Sequence, residues 1–86
     1  MTEKEEQIRD GQDAKMILEH PLVINCFNQI LNTGYQEWIS TKADEQDKRE
    51  NLYHGQIAAL KFKQVLVNTM ENGKLLEEER KGEANG

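Results

Sequence analysis

Charge is gathered into three blocks, and that gathering constrains the fold more than any single motif. Met1 to Glu19 is dense in charge, with Glu3, Lys4, Glu5, Glu6, Arg9, Asp10, Asp13, Lys15 and Glu19. Pro21 to Thr41 then holds Glu37 as its one charged residue. Lys42 to Glu50 is charged again, and between Asn51 and Met70 only Lys61 and Lys63 carry full charge. Beyond Glu71 charge returns with Glu77, Glu78, Glu79, Arg80 and Lys81. Two charge-poor segments joined by a polar linker predict the two arms of a hairpin, with solvated flanks.

Both arms have a helical period. Val23, Phe27, Ile30, Leu31, Gly34 and Trp38 recur at steps of three and four, which sets them on one helix face. Ile24, Cys26 and Tyr35 widen that face to about half the circumference, more than one partner helix needs. Phe27 and Trp38 are its expected core. His20-Pro21 predicts the start of this helix, because proline suits the first turn and disfavours helix at the residue before it. The second arm is expected from near Ala43 to Glu71, with Leu52, Gly55, Ala59, Phe62 and Leu66 as a heptad-like seam. Asn72-Gly73 reads as its stop, since glycine takes the left-handed C-cap conformation freely. Ser40 and Thr41 read as cap or turn residues between the arms.

A shorter helix is expected first, opening at Gly11 with Asp10 as its cap and Ala14, Ile17 and Leu18 as its apolar patch. Thr2-Glu3-Lys4-Glu5 also fits a capping box, which allows a frayed helix from residue 3. The expected fold class is therefore all-α: a short N-terminal helix, then an antiparallel helical hairpin, with polar mobile termini. The expected division is a polar tail over 1–9, one helical domain over 10–73 and an acidic tail over 74–86.

Composition narrows the chemistry. The 86 residues are 36% hydrophobic and carry a net charge of -5. That apolar share is below the roughly 45% of an ordinary globular domain, and a chain this short hides only about two-thirds of its unfolded surface, so an isolated monomer is marginal. One cysteine excludes a disulfide framework and a multi-cysteine zinc site, and fits a reducing compartment. No apolar stretch approaches the ~20 residues of a membrane span, and Met1 leads into acids rather than a signal peptide.

His20, His54 and Cys26 are the nitrogen and sulfur donors suited to a transition metal, and no two share the spacing that aims a pair at one ion. Cys26 reads more simply as a small buried hydrophobe. No nucleophile elbow, phosphate loop or dinucleotide fingerprint is present, and Glu77 to Glu79 sit where nothing desolvates a general acid. The expectation is no enzyme, no cofactor, no metal and no small-molecule substrate. Lys61, Lys63 and Lys74 offer only a thin basic patch for nucleic acid, against lysine stems lying along a helix.

Gly11-Gln12-x-Ala14-x-x-Ile17-Leu18-x-x-Pro21 resembles a pattern of small helical proteins of tailed bacteriophages, encoded among head-assembly and packaging genes. The later spacing is similar: Phe27, Trp38, Arg49-Glu50-x-Leu52-Tyr53, Leu60, Leu66 and Asn72-Gly73-Lys74. The resemblance covers roughly residues 11–76 and consists mostly of caps and core positions. It implies a virion or assembly role in the host cytoplasm, and it supplies no catalytic residue.

A second apolar stripe decides how such a chain would work. Tyr53, Leu60 and Val67 are spaced by seven, with Ile57 beside them, roughly 100° round from the Leu52–Leu66 seam. Either Ile17 and Leu18 cover it and complete a three-helix bundle, or the first helix is too short and some of it meets another subunit. Length favours the second, because about 9 residues cover only ~14 Å of a ~42 Å helix. The uncharged amide face Asn25, Asn28, Gln29, Asn32 and Gln36 could join such an interface. The expected function is a non-enzymatic assembly protein that self-associates or binds another virion or assembly protein through Tyr53, Ile57, Leu60 and Val67. The alternatives are a DNA-packaging or regulatory factor touching nucleic acid, and an acidic inhibitor of a host enzyme.

Overall fold

The computed structural model describes residues 2–85. Among them the chain forms three helices and no strand: α1 (Glu3–Glu19), α2 (Pro21–Ile39) and α3 (Gln46–Asn85). The class is all-α with an antiparallel hairpin, as the charge blocks and the period predict. α2 has the bounds its period predicts, whereas α1 and α3 are longer than expected. With 17, 19 and 40 residues, α1 and α2 together match α3, and they lie end to end along it in a rod of 63 × 23 × 20 Å.

The ends of the helices follow local chemistry. Thr2 caps α1, its hydroxyl accepting from the Glu5 amide at 3.2 Å. Asp10 and Gly11 lie inside α1 rather than opening it, so residues 3–9, expected as a tail, are helical. His20 ends α1 and caps α2, its Nδ1 accepting from the Leu22 amide at 3.1 Å while Pro21 stands at the first helical position. The α2–α3 turn is fastened by Ser40 Oγ donating to the Gln36 carbonyl at 2.8 Å and Thr41 Oγ1 to the Trp38 carbonyl at 2.6 Å. Glu45 closes it, its carboxylate accepting from the Lys42 amide at 2.9 Å.

Asn72-Gly73 does not stop α3, and residues 74–85 continue the helix. No glycine among the described residues has a positive φ, so Gly73 is not used as a C-cap. It is used for its missing side chain. A Cβ on Gly73 would lie 2.8 Å from the Gly11 Cα, and one on Gly11 would lie 2.8 Å from the Gly73 Cα. Glycines face each other where α1 and α3 touch backbone to backbone. Ile8 and Ala14, 4% and 2% exposed, are buried on either side of the contact. Lys4 Nζ to Glu83 Oε1 at 3.3 Å and Asn72 Nδ2 to Gln7 Oε1 at 3.4 Å hold the same register outside it.

The contacts of α2 with α3 are fewer than those of α1, and they are made by larger groups. Phe27 and Phe62 have ring centroids 6.1 Å apart. Gln56 Nε2 donates to the Leu31 carbonyl at 3.2 Å, and Gly34 makes room for it, since a Cβ there would lie 2.5 Å from the same nitrogen. Trp38 is covered on one face by the Arg49 guanidinium, 4.4 Å from the ring centroid. Leu52, Ala59 and Leu66 are half-buried as the seam predicts. Phe62 reaches Phe27 while staying exposed, and Gly55 is exposed outside the seam, where Gln56 turns inward in its place.

Glycines in the two settings should respond oppositely to alanine. Gly55, with open space around its Cα, should gain about 0.5–1 kcal/mol on Gly55→Ala from helix propensity alone. Gly73→Ala must push the facing backbones apart and should lose about 1–3 kcal/mol by overpacking. Urea unfolding at matched protein concentrations measures both. A stabilised Gly73→Ala protein would contradict the close crossing.

Candidate functional site: an uncovered apolar stripe

The register of the rod decides which stretch of α3 stays bare. Contacts at Lys4–Glu83 and Gly11–Gly73 set α1 against the distal half of α3. Those at Phe27–Phe62, Leu31–Gln56 and Trp38–Arg49 set α2 against the proximal half. Tyr53 and Leu60 therefore lie beyond the reach of α1, and no three-helix bundle closes over them. Ile17, expected to be the cover, is itself exposed, while Leu18 is half-buried at the end of α1.

On the bare flank Tyr53 is 57% and Leu60 46% exposed, with Ile57 and Val67 half-buried between and beyond them. Helical spacing puts Tyr53, Leu60 and Val67 one residue, about 100°, round from Leu52, Ala59 and Leu66, with Ile57 a further ~40° beyond them. From α2, Ile24 and Tyr35 are exposed on the same flank, the register placing Tyr35 across from Tyr53. Tyr53 also makes an edge contact with His54, ring centroids 5.8 Å apart. One end of the stripe is a shallow hollow between Trp38, Gln46, Arg49, Glu50 and Tyr53. There Arg49 Nε is buried without a hydrogen-bond partner.

The expected core residues are only partly covered. Phe27 is half-buried and Trp38 is 38% exposed, because a rod two helices thick has no third layer to close over them. Cys26, expected buried, is exposed. The inward direction of α2 is set by Val23, Phe27, Leu31 and Gly34, and Cys26 lies on the shoulder of that arc. On that shoulder Cys26 and Ile30 border a second groove with Gly34, Leu52 and Gly55. The amide face of Asn25, Asn28, Gln29, Asn32 and Gln36 is exposed, as are Lys61, Lys63 and Lys74.

His20 is occupied as a helix cap, His54 lies against Tyr53, and Cys26 stands apart from both. Among the described residues no three histidine, cysteine, aspartate or glutamate side chains gather around a common point. No helix of the described residues is long and apolar enough to cross a membrane. Comparison with protein-family models, curated proteins and solved structures finds no match.

What the arrangement can do chemically is remove apolar surface from water. Tyr53 and Trp38 present large rigid rings with a polar edge, the side chains most enriched where proteins meet. The partial cover over Phe27 gives a measurable consequence. Phe27→Ala should cost about 1–2 kcal/mol in urea unfolding, below the roughly 3–5 kcal/mol of a fully enclosed phenylalanine. A cost in the higher range would mean that other chains complete its enclosure in solution.

Proposed function

We propose that this protein is a non-enzymatic assembly component of a tailed bacteriophage, working through contacts with other protein chains. The observation that carries the reading is the stripe of Tyr53, Ile57, Leu60 and Val67, in which Tyr53 and Leu60 are exposed and Ile57 and Val67 half-buried, extended by exposed Tyr35 from α2. Contiguous apolar surface of this kind on a small soluble domain marks an interaction site. The phage setting is supported by the resemblance of Gly11–Pro21 and of the spacing from Phe27 to Lys74. Gly11 and Gly73, two positions of that pattern, meet at the helix crossing, so the pattern describes packing.

Nucleic acid is the weaker reading, since acids outnumber bases by 16 to 11 and affinity for a duplex comes chiefly from cations neutralising phosphates. Fractionation of phage-infected cells tests the proposal. The protein should travel with capsid or assembly intermediates, and duplex DNA should bind no tighter than the ~10⁻⁴–10⁻⁶ M of non-specific association. A nanomolar, salt-dependent DNA complex lost on Lys61→Glu and Lys63→Glu would move the protein to the packaging machinery. Recovery with a host enzyme alone would make it an inhibitor.

A further inference from the structure

We propose that the occupant of the stripe is a second copy of this chain, paired about a two-fold axis at Leu60 with the two α3 helices antiparallel. This rests on the protein-contact reading and names the partner. Surface area is the first argument. The chain exposes 6736 Å², whereas a compact 10.0 kDa monomer exposes about 5,200 Å² by the scaling of folded monomers. The elongated rod thus exposes about 1,500 Å² more than a compact chain of its mass, surface that pairing side by side along α3 would remove in part.

The symmetry of the stripe is the second argument. A two-fold interface requires one patch to complement itself. Centred on Leu60, the antiparallel register sets Leu60 on its own copy and Tyr53 on Val67 twice. Extended by four residues each way, it sets Arg49 opposite Glu71 at both ends, cation against anion. Arg49 is the residue whose Nε is buried without a partner in the single chain, and Glu71 is exposed.

Charge is the third argument. Between Asn51 and Met70, the centre of the overlap, the chain carries only Lys61 and Lys63, so the central segments meet with few charges. The same register carries Glu77, Glu78, Glu79 and Glu83 past Gln46 of the other copy, throwing the acidic ends apart. Two chains of charge -5 each then pair where they are least charged.

Light scattering of the wild-type protein at micromolar concentration should give twice the chain mass, and its melting temperature should rise with protein concentration. In a Cys26→Ser background, Leu60→Cys should close a disulfide to its own copy under mild oxidation, because only residues near the axis come within disulfide reach. Glu71→Lys, at a side chain exposed in the single chain, should raise the dimer dissociation constant about tenfold while leaving circular dichroism unchanged at high concentration. A concentration-independent single-chain mass overturns the inference. So does a dimer in which Leu60→Cys fails to cross-link, or one indifferent to Glu71→Lys. A single-chain protein that still travels with phage assemblies overturns the pairing but leaves the protein-contact reading in place. A dimer that travels with no phage component supports the pairing and overturns the phage-assembly reading.

Discussion

The meeting of Gly11 and Gly73 is the contact on which the rest of the molecule depends. Side chains on either glycine would force the helices apart by the width of a methyl group, and the neighbouring Ile8 and Ala14 would lose their cover. In a chain with 36% hydrophobic residues close backbone approach replaces bulk: dispersion between well-packed atoms accumulates without large side chains. The crossing also explains the length of α3. Residues beyond Gly73 have α1 to lie against, so the helix continues past a dipeptide that would otherwise end it.

Register is fixed by two separate fits that must be met together. Gly11 accepts only a backbone without Cβ, and Gly34 accepts the Gln56 amide, which reaches the Leu31 carbonyl. Sliding α3 by a heptad would break both, bringing Arg80 or Leu66 to Gly11 and Lys63 or Arg49 to Gly34. A polar residue in a helical seam costs stability and specifies alignment. Gln56 has that role here, and its hydrogen bond offsets some of the cost of turning an amide inward.

What is legible in the sequence is local. Thr2 and His20-Pro21 act on amides within their own helix turns, so their roles follow from neighbouring residues alone. The two arms of the hairpin follow from charge, since burying an unpaired charge is costly at any position. Asn72-Gly73 misleads because glycine serves two purposes, a left-handed cap and a close crossing, and only the distant Gly11 decides between them. The seam is legible by half. Leu52, Ala59 and Leu66 recur by seven and line the seam, and Phe62 reaches Phe27 across it, whereas choosing a small residue at the alternate position selects Gly55 and misses Gln56. The stripe of Tyr53, Ile57, Leu60 and Val67 is visible as a pattern, but its exposure depends on where α1 lies.

The break at His20-Pro21 ties these features together. An uninterrupted helix in place of α1 and α2 would have to follow one groove of α3 over its whole length, with the same side chains at every turn of the contact. The break lets the chain restart its phase. Before it, small residues meet glycine at a close crossing; after it, Phe27, Leu31 and Trp38 meet Phe62, Gln56 and Arg49 at a wider one. Wide spacing admits aromatic rings but leaves their edges outside the contact, since two helices enclose a side chain on two sides only. Both halves thereby hold the register, through Gly11 with Gly73 and Gly34 with Gln56, and the open half also supplies the uncovered rings. A chain with the glycine spacing in both halves would lose its exposed aromatic surface. One with the aromatic spacing in both would lose the contact that holds α3 in place.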